Sequence, residues 1–502
     1  MDGWEGWNRR CTRRQLLGIG VAVTTGAWAT SALARSPAPR GAPLPSDPFT
    51  LGVASGDPDP TSVVLWTRLT GMGLPPAVEV TWEVATDDDF TDIVSAGTVT
   101  ATVDHGHSVH VVADIDGPVR YRFRAGGFTS QVGCAAPVPA EPGELRLATA
   151  SCQNFQSNHY AAHRDLARWR PDLVAFLGDF IYEGAAADAI GDGVVRLHEG
   201  PEPTDVVGYR ARYATYLSDP DLQAARAVCP WLVVWDDHEV ENNYAGLAPQ
   251  DPTEASTFAE RRAQAYQAWW EHQPVRLPPP IAGEPYPIFR SITWGGLAEL
   301  IALDGRQFRS PHACDIPALS IEPPCEAAAD PARTMLGDHQ EAWLGERLAG
   351  ATAIWPTLVQ QTVLSDLRLD GAILNYDQWD GYAPARERLM AQAAHADRLV
   401  VLTGDIHLAG VASLPGVGVE FVTTSIASHG NVPPETAPIL ESFEQVVAAE
   451  LAHRGYTRHV VDAERWTAEY RIVEDASRAD SAVSTWQTFT VEADTRDAVV
   501  AS

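Results

Sequence analysis

A chain of 502 residues, 45% hydrophobic and carrying 16 tryptophans, can bury more than one core and is too apolar to stay disordered. Its formal charge of −30, from 36 basic against 66 acidic residues, argues against nucleic-acid binding, which needs cationic side chains to neutralise phosphates. Phosphate chemistry stays open, because a multivalent cation can reverse the local sign.

The N-terminus reads as a targeting segment over residues 1–34. Arg9, Arg10, Arg13 and Arg14 form its charged part, Leu16 to Trp28 is apolar, and Ala32-Leu33-Ala34 fits a cleavage site. Thr12-Arg13-Arg14-Gln15-Leu16-Leu17 resembles a twin-arginine export signal, so the twin-arginine machinery is the expected export partner and the exterior or cell-wall space the expected location. No other stretch is long and apolar enough to span a bilayer, so the mature chain is expected to be soluble, and monomeric. Cys11 lies in the signal. Of the other five cysteines, Cys314 and Cys325 flank a short Pro-containing loop and are candidates for a disulfide.

Residues 35–48, rich in Pro and Ala, read as a linker. From 49 to 138, alternating runs such as Val78 to Val84 and Val119 to Arg124, separated by Gly, Asp and Pro, predict a small antiparallel β-sandwich. Beyond a second Pro-containing break the period changes, and residues 144–492 read as a second, larger domain. Short apolar runs at Leu145 to Ala150, Leu173 to Leu177, Trp231 to Trp235, Leu297 to Leu303, Leu399 to Leu402 and Val419 to Thr423 alternate with helical stretches, the pattern of α/β sheets covered by helices. In one such helix, Ala259, Ala263, Tyr266 and Trp270 are spaced to form the buried face, with Arg261 and Arg262 on another. His459 to Val473 and Thr485 to Val491 predict further strands.

Four of these runs end in groups able to hold a cation: Ser151-Cys152-Gln153-Asn154, Gly178-Asp179-Phe180-Ile181-Tyr182-Glu183, Trp235-Asp236-Asp237-His238-Glu239 and Thr403-Gly404-Asp405-Ile406-His407. Any one is weak evidence, since Gly-Asp is common at turns. The carboxyl ends of strands form the ligand crevice of an α/β sheet, however, so all four can meet at one site. Nucleophilic serine chemistry is disfavoured: Gly52-Val53-Ala54-Ser55-Gly56 puts its serine at the wrong offset for a Gly-x-Ser-x-Gly turn. A Gly-x-x-x-x-Gly-Lys loop cannot occur in a chain without lysine.

The run Phe49 to Pro58, then Val64-Leu65-Trp66-Thr67-Arg68, the four motifs in order and Arg261 to Glu271 together resemble the PhoD-type alkaline phosphatases. The resemblance covers nearly the whole mature chain. It implies an α/β (α+β) fold, a four-layer metallophosphoesterase β-sandwich flanked by helices and preceded by a small antiparallel β-sandwich domain. It also implies a ferric ion held by Cys152, Tyr182, Asp179 and His407, with calcium beside it. Asp179 would bridge the ions, and Asp405, Asp237 and an amide from Asn242 or Asn243 would face calcium. The donor types agree: thiolate and phenolate suit trivalent iron, carboxylate and amide oxygens suit calcium. Asp236 is either a further ligand or a support for one. The implied activity is hydrolysis of a phosphate ester by hydroxide generated between the cations. His238 would protonate the leaving group or orient Asp237, and Arg262 or Arg261 would pair with phosphate. Alternatives are a phosphodiesterase of the phospholipase D kind acting on phospholipid or teichoic-acid-like esters, and a non-catalytic metal- or phosphate-binding exoprotein. Loops 184–205 and 311–333 are expected to shape the entrance.

Overall fold

The structure, a computed structural model, describes residues 42–186, 194–314, 319–495 and 498–500. The targeting segment and residues 35–41 of the expected linker lie outside these. Residues 42–48 are not loose: Leu44 is buried against the N-terminal strands and its N–H donates to the Gly126 carbonyl at 3.1 Å.

Two large mixed sheets face each other. In the first, a parallel core of β1 (Leu145–Ala150), β2 (Leu173–Phe176) and β3 (Pro230–Val233) is extended on the β1 side by antiparallel strands Arg454–Val461, Arg465–Val473, Val483–Glu492 and Ala498–Val500. In the second, β4 (Ala298–Ala302), β5 (Trp355–Val359), β6 (Leu399–Thr403) and Gly418–Val422 run parallel. Both faces of these strands are covered, which is why they read as continuous apolar runs without alternation. Leu147, Val174 and Leu232 of the first sheet share one core with Leu300, Val400 and Leu402 of the second. The outer face of the second sheet packs Ile301, Leu358 and Val401 against the helices Gly337–Ala349 and Ala383–Ala393.

The N-terminal strands divide between two sheets. Ala77–Ala85, Ile93–Thr102, Val119–Ala125 and two short strands make a separate five-stranded sheet. Val53–Gly56 instead pairs in parallel with β3 and, with Ser62–Arg68 and Ser108–Asp114, completes the ten-stranded sheet. Residues 49–138 therefore share a continuous sheet with the segment carrying the strand-end motifs, a pairing that alternation within single strands does not reveal.

The helix α1 (Phe258–His272) follows the periodicity reading only in part: Tyr266 and Trp270 are buried as expected, and other positions are not as expected. Ala259 is exposed and Ala263 half-buried, whereas Arg261 is buried. Its guanidinium is held by Glu202, by Glu241 at 3.0 Å and by Glu254 at 3.0 Å, and it donates to Tyr209 Oη at 3.0 Å. A charge so compensated can occupy a buried stripe that hydropathy assigns to apolar residues. Cys314 and Cys325 form a disulfide, with Cα atoms 5.8 Å apart, and Cys134, Cys152 and Cys229 are free thiols.

Candidate metal centre

The carboxyl ends of β1, β2, β3 and β6 converge, and the turns leaving them are stitched together by backbone. The Cys152 N–H donates to the Gly178 carbonyl at 3.1 Å, and the Gln153 N–H to the Asp179 carbonyl at 3.1 Å, tying the turn after β1 to the turn after β2. Glu239 then clamps the turns after β2 and β3: its carboxylate accepts the N–H groups of Asp179 (3.0 Å), Phe180 (2.7 Å) and Asp236 (2.9 Å). The turns approach so closely that a Cβ on Gly178, which has φ +105°, would sit 2.5 Å from the Asp236 side chain. Cys152, Asp179, Asp405 and His407 all adopt left-handed backbone, with φ of 59°, 58°, 65° and 56°. For non-glycine residues that costs about 1 kcal/mol or more each, and such strain persists where the surroundings enforce it and a function uses it.

Two groups of donor atoms result. Cys152 Sγ, an Asp179 oxygen and a His407 nitrogen lie within 4.8 Å of one another, and so do oxygens of Asp179, Asp236, Asp237 and Asp405. A third such group joins Asp179 and Asp237 to His238, so Asp179 belongs to all three. The Tyr182 hydroxyl donates to Asp179 Oδ2 at 2.9 Å and lies 3.0 Å from His407 Nε2. His407 Nδ1 is 2.5 Å from the His429 carbonyl, which can only accept, so Nδ1 carries the proton and Nε2 keeps its lone pair toward the centre. Burial, helped by Arg454, pushes this imidazole down to about 3, the neutral form a ligand needs.

Crowded together and buried, several of these groups oppose one another's ionisation. Burial first, then the Asp179 and Asp405 carboxylates, drives the Cys152 thiol well above its ordinary value. Burial likewise lifts Asp179 and Asp236 well above the usual carboxylate range, and Asp405 to about 6. Among the described residues no arginine lines the cavity over this cluster. Cys152, Tyr182, His407 and these carboxylates are groups able to hold metal ions, and their donor types fit the iron and calcium that the resemblance implies.

His238 lies at the cavity edge. Its Nδ1–H donates to Glu183 Oε2 at 2.7 Å, leaving Nε2 as the uncommitted ring nitrogen, and its ring lies 4.0 Å from that of Tyr182. Burial alone would discharge it, but Glu183, Asp179 and Asp237 hold it well above the ordinary histidine value. The other carboxyl oxygen of Glu183 accepts the Asn242 N–H at 2.7 Å, and Asp237 Oδ2 accepts the Asn243 N–H at 2.7 Å. Asn242 and Asn243 both line the cavity.

Several of the expected residues are absent from the cavity lining. Arg262 donates to the Gly246 carbonyl at 2.6 Å with its guanidinium over the Tyr266 ring, and neither it nor Arg261 lines the cavity. Asp236 is within reach of the cluster, yet it does not line the cavity and one of its oxygens is bound by Arg306.

Arg306, Glu183, Glu239 and Asp377 are residues that the motif reading passed over. Arg306, wholly buried beyond the end of β4, contacts Asp236, lies 2.7 Å from Asp377, 3.6 Å from Asp237 and 3.8 Å from Asp405. Asp377 in turn accepts Arg309 Nη1 at 2.8 Å and lies 2.8 Å from His312 Nε2. Gln378 donates to Asp405.

Similarity to known proteins extends over nearly the whole chain. Residues 147–470 match the PhoD-like phosphatase family and residues 34–139 match the PhoD-like phosphatase N-terminal domain. Alkaline phosphatase D of Bacillus subtilis (strain 168) is 39% identical over 95% of this chain and 85% of that protein. A solved structure, titled as that of PhoD, superposes with a TM-score of 0.87 at 38% identity, over 91% of this chain and 93% of its own. With both domains matched in order and the strand-end ligands assembled as described, this chain belongs to the PhoD-like phosphatase family.

Proposed function

We propose that this chain is an exported alkaline phosphatase that hydrolyses phosphomonoesters, and diesters as well, with iron and calcium at the centre described above. The family makes it a metal-dependent phosphate-ester hydrolase. The observation that carries the reading is the convergence of Cys152, Asp179 and His407 within 4.8 Å, beside a second group of four carboxylates sharing Asp179.

Cys152, Tyr182, His407 and Asp179 would hold iron, and Asp179, Asp237, Asp405 and an amide oxygen of Asn242 or Asn243 would hold calcium. When bound, such cations supply Lewis-acid charge to phosphoryl oxygens and lower the pKa of water at the site. The protein's own part is positioning and proton transfer. Glu183 fixes the His238 tautomer, so that Nε2 can carry a proton to the departing oxygen. Glu239 and Arg306 fix the turns from which the ligands project. Residues 1–34 support export by the twin-arginine route, which carries folded proteins and so suits a chain that must assemble a metal centre first. No described helix is long and apolar enough to cross a membrane.

Iron identity has a spectroscopic test. A phenolate and a thiolate on ferric iron give a visible charge-transfer band, and Tyr182→Phe is expected to remove or strongly shift it in protein of unchanged circular dichroism. A colourless wild-type preparation with full turnover would contradict the iron assignment. Assaying p-nitrophenyl phosphate beside bis-p-nitrophenyl phosphate separates monoesterase from diesterase activity, and metal binding without either activity would contradict the enzyme.

A further inference from the structure

We propose that the far end of the active-site cavity is a subsite for the organic substituent of the phosphate ester, and that it takes an unbranched alkyl chain. The proposal rests on the phosphoesterase reading and adds the substrate class. The cavity has a volume of about 790 Å³, far more than one phosphate group occupies, and its two ends differ in chemistry. Asp179, Tyr182, Asp237, His238, Asp405 and His407 gather at the metal end. The remaining lining is mixed, with Ser365, Asn375, Asp377, Gln378 and Asp380 among its polar members, and its apolar wall includes Val363, Leu367, Ile406, Leu408, Val432 and Leu440.

This wall is continuous with the centre. Ile406 and Leu408 flank the ligand candidate His407 in the same turn, so apolar surface begins one residue away from the reacting position. It is also a built surface: Val363 and Leu408 are buried and form a hydrophobic cluster of their own with Val422 and Leu451, against which Leu367, Ile406, Val432 and Leu440 pack. Ile321 and Ile439 continue it to the mouth, where they are 66% and 46% exposed. Of the loops expected at the entrance, the described lining includes only Ile321, from residues 311–333.

The kind of apolar group follows from what the wall offers. Among the described lining residues Tyr182 is the one phenyl or indole side chain, and its ring already lies against that of His238, tilted by 31°. A nucleobase would therefore lack a stacking platform along the aliphatic wall. Branched aliphatic side chains in contact with one another present a surface that gains from each methylene it covers.

The test measures binding, by calorimetry on metal-loaded protein, of n-alkylphosphonates from methyl to octyl at concentrations below micelle formation. The head group is constant, so differences report the chain. Kd is expected to fall about threefold per added methylene, slightly less than full burial of each would give. Leu440→Asn is expected to flatten that dependence. Ile439→Asn, at an exposed rim position that tolerates a polar side chain, is expected to flatten it for the longest chains, and serves if the first variant does not fold. Equal Kd across the series overturns the proposal whatever the turnover. A retained dependence with no hydrolysis of any phosphate ester would instead overturn the hydrolase reading.

Discussion

Asp179→Asn is expected to lower kcat on a phosphomonoester by about 10³-fold, the scale of removing a preorganised charge-stabilising group from an active site, while the protein still folds. Asp179 is common to all three groups of potential ligands among the described residues, so it is the one carboxylate through which both halves of the centre are joined. The amide keeps the shape and can still accept from the Tyr182 hydroxyl, but it removes the negative charge that two cations would share. The fold should tolerate it, because the wild-type carboxylate is wholly buried beside Asp237, Glu239 and Asp405 and is disfavoured as an anion there. Melted without metal, the variant should unfold no lower than metal-free wild type; melted with metal, it should lose the stabilisation that wild type gains. Near-native turnover in Asp179→Asn would remove the bridging role.

The largest stability effect is expected at Arg306. Its side chain is completely inaccessible and, among the described residues, is the one cation shared by Asp236 and Asp377, with Asp237 and Asp405 in its field. Those four carboxylates raise its affinity for the proton despite the burial that opposes it. Arg306→Met leaves the buried Asp236 carboxylate without its cationic partner, while Asp377 keeps Arg309 and His312, and removing one half of a buried pair costs about 3–5 kcal/mol. Urea unfolding should show that loss, and activity should fall with it because Asp236 anchors the turn carrying Asp237. Adding Asp236→Asn to Arg306→Met should recover part of the stability, since the amide leaves no charge behind. If Arg306→Met unfolds within about 1 kcal/mol of wild type, the size of an ordinary substitution, the buried web is not what holds the turns.

What the sequence made legible was the set of strand ends. A parallel strand buried on both faces reads as an unbroken apolar run, and the polar group that ends it stands out, so Cys152, Asp179, Asp237 and Asp405 were visible as interruptions. Arg306 carries the same signal, since Asp304-Gly305-Arg306 ends the run Leu297 to Leu303. It was missed because arginine cannot bind a metal, although a cluster of buried acids needs a countercharge. Glu239 belonged to a motif already singled out, yet its work is to accept three backbone N–H groups, and no residue pattern announces which carboxylate will do so. Asp377 comes from a loop with no periodic signal at all. Arg261 of α1 was misread for the opposite reason: it looked solvated because Glu202, Glu241 and Glu254, which pay for its burial, are scattered over some fifty residues of loop and helix. The fused N-terminal sheet was hidden because pairing between Val53–Gly56 and β3 is a long-range contact, whereas alternation reports only which face of a strand is wet.

The most direct test of the whole account is metal content followed against turnover in the same samples. Protein taken without chelator is expected to carry iron and calcium, to lose hydrolysis of p-nitrophenyl phosphate as the ions are stripped, and to regain it as they are returned. Full activity in protein whose iron and calcium have both been removed would contradict the claim that these strand ends exist to hold them.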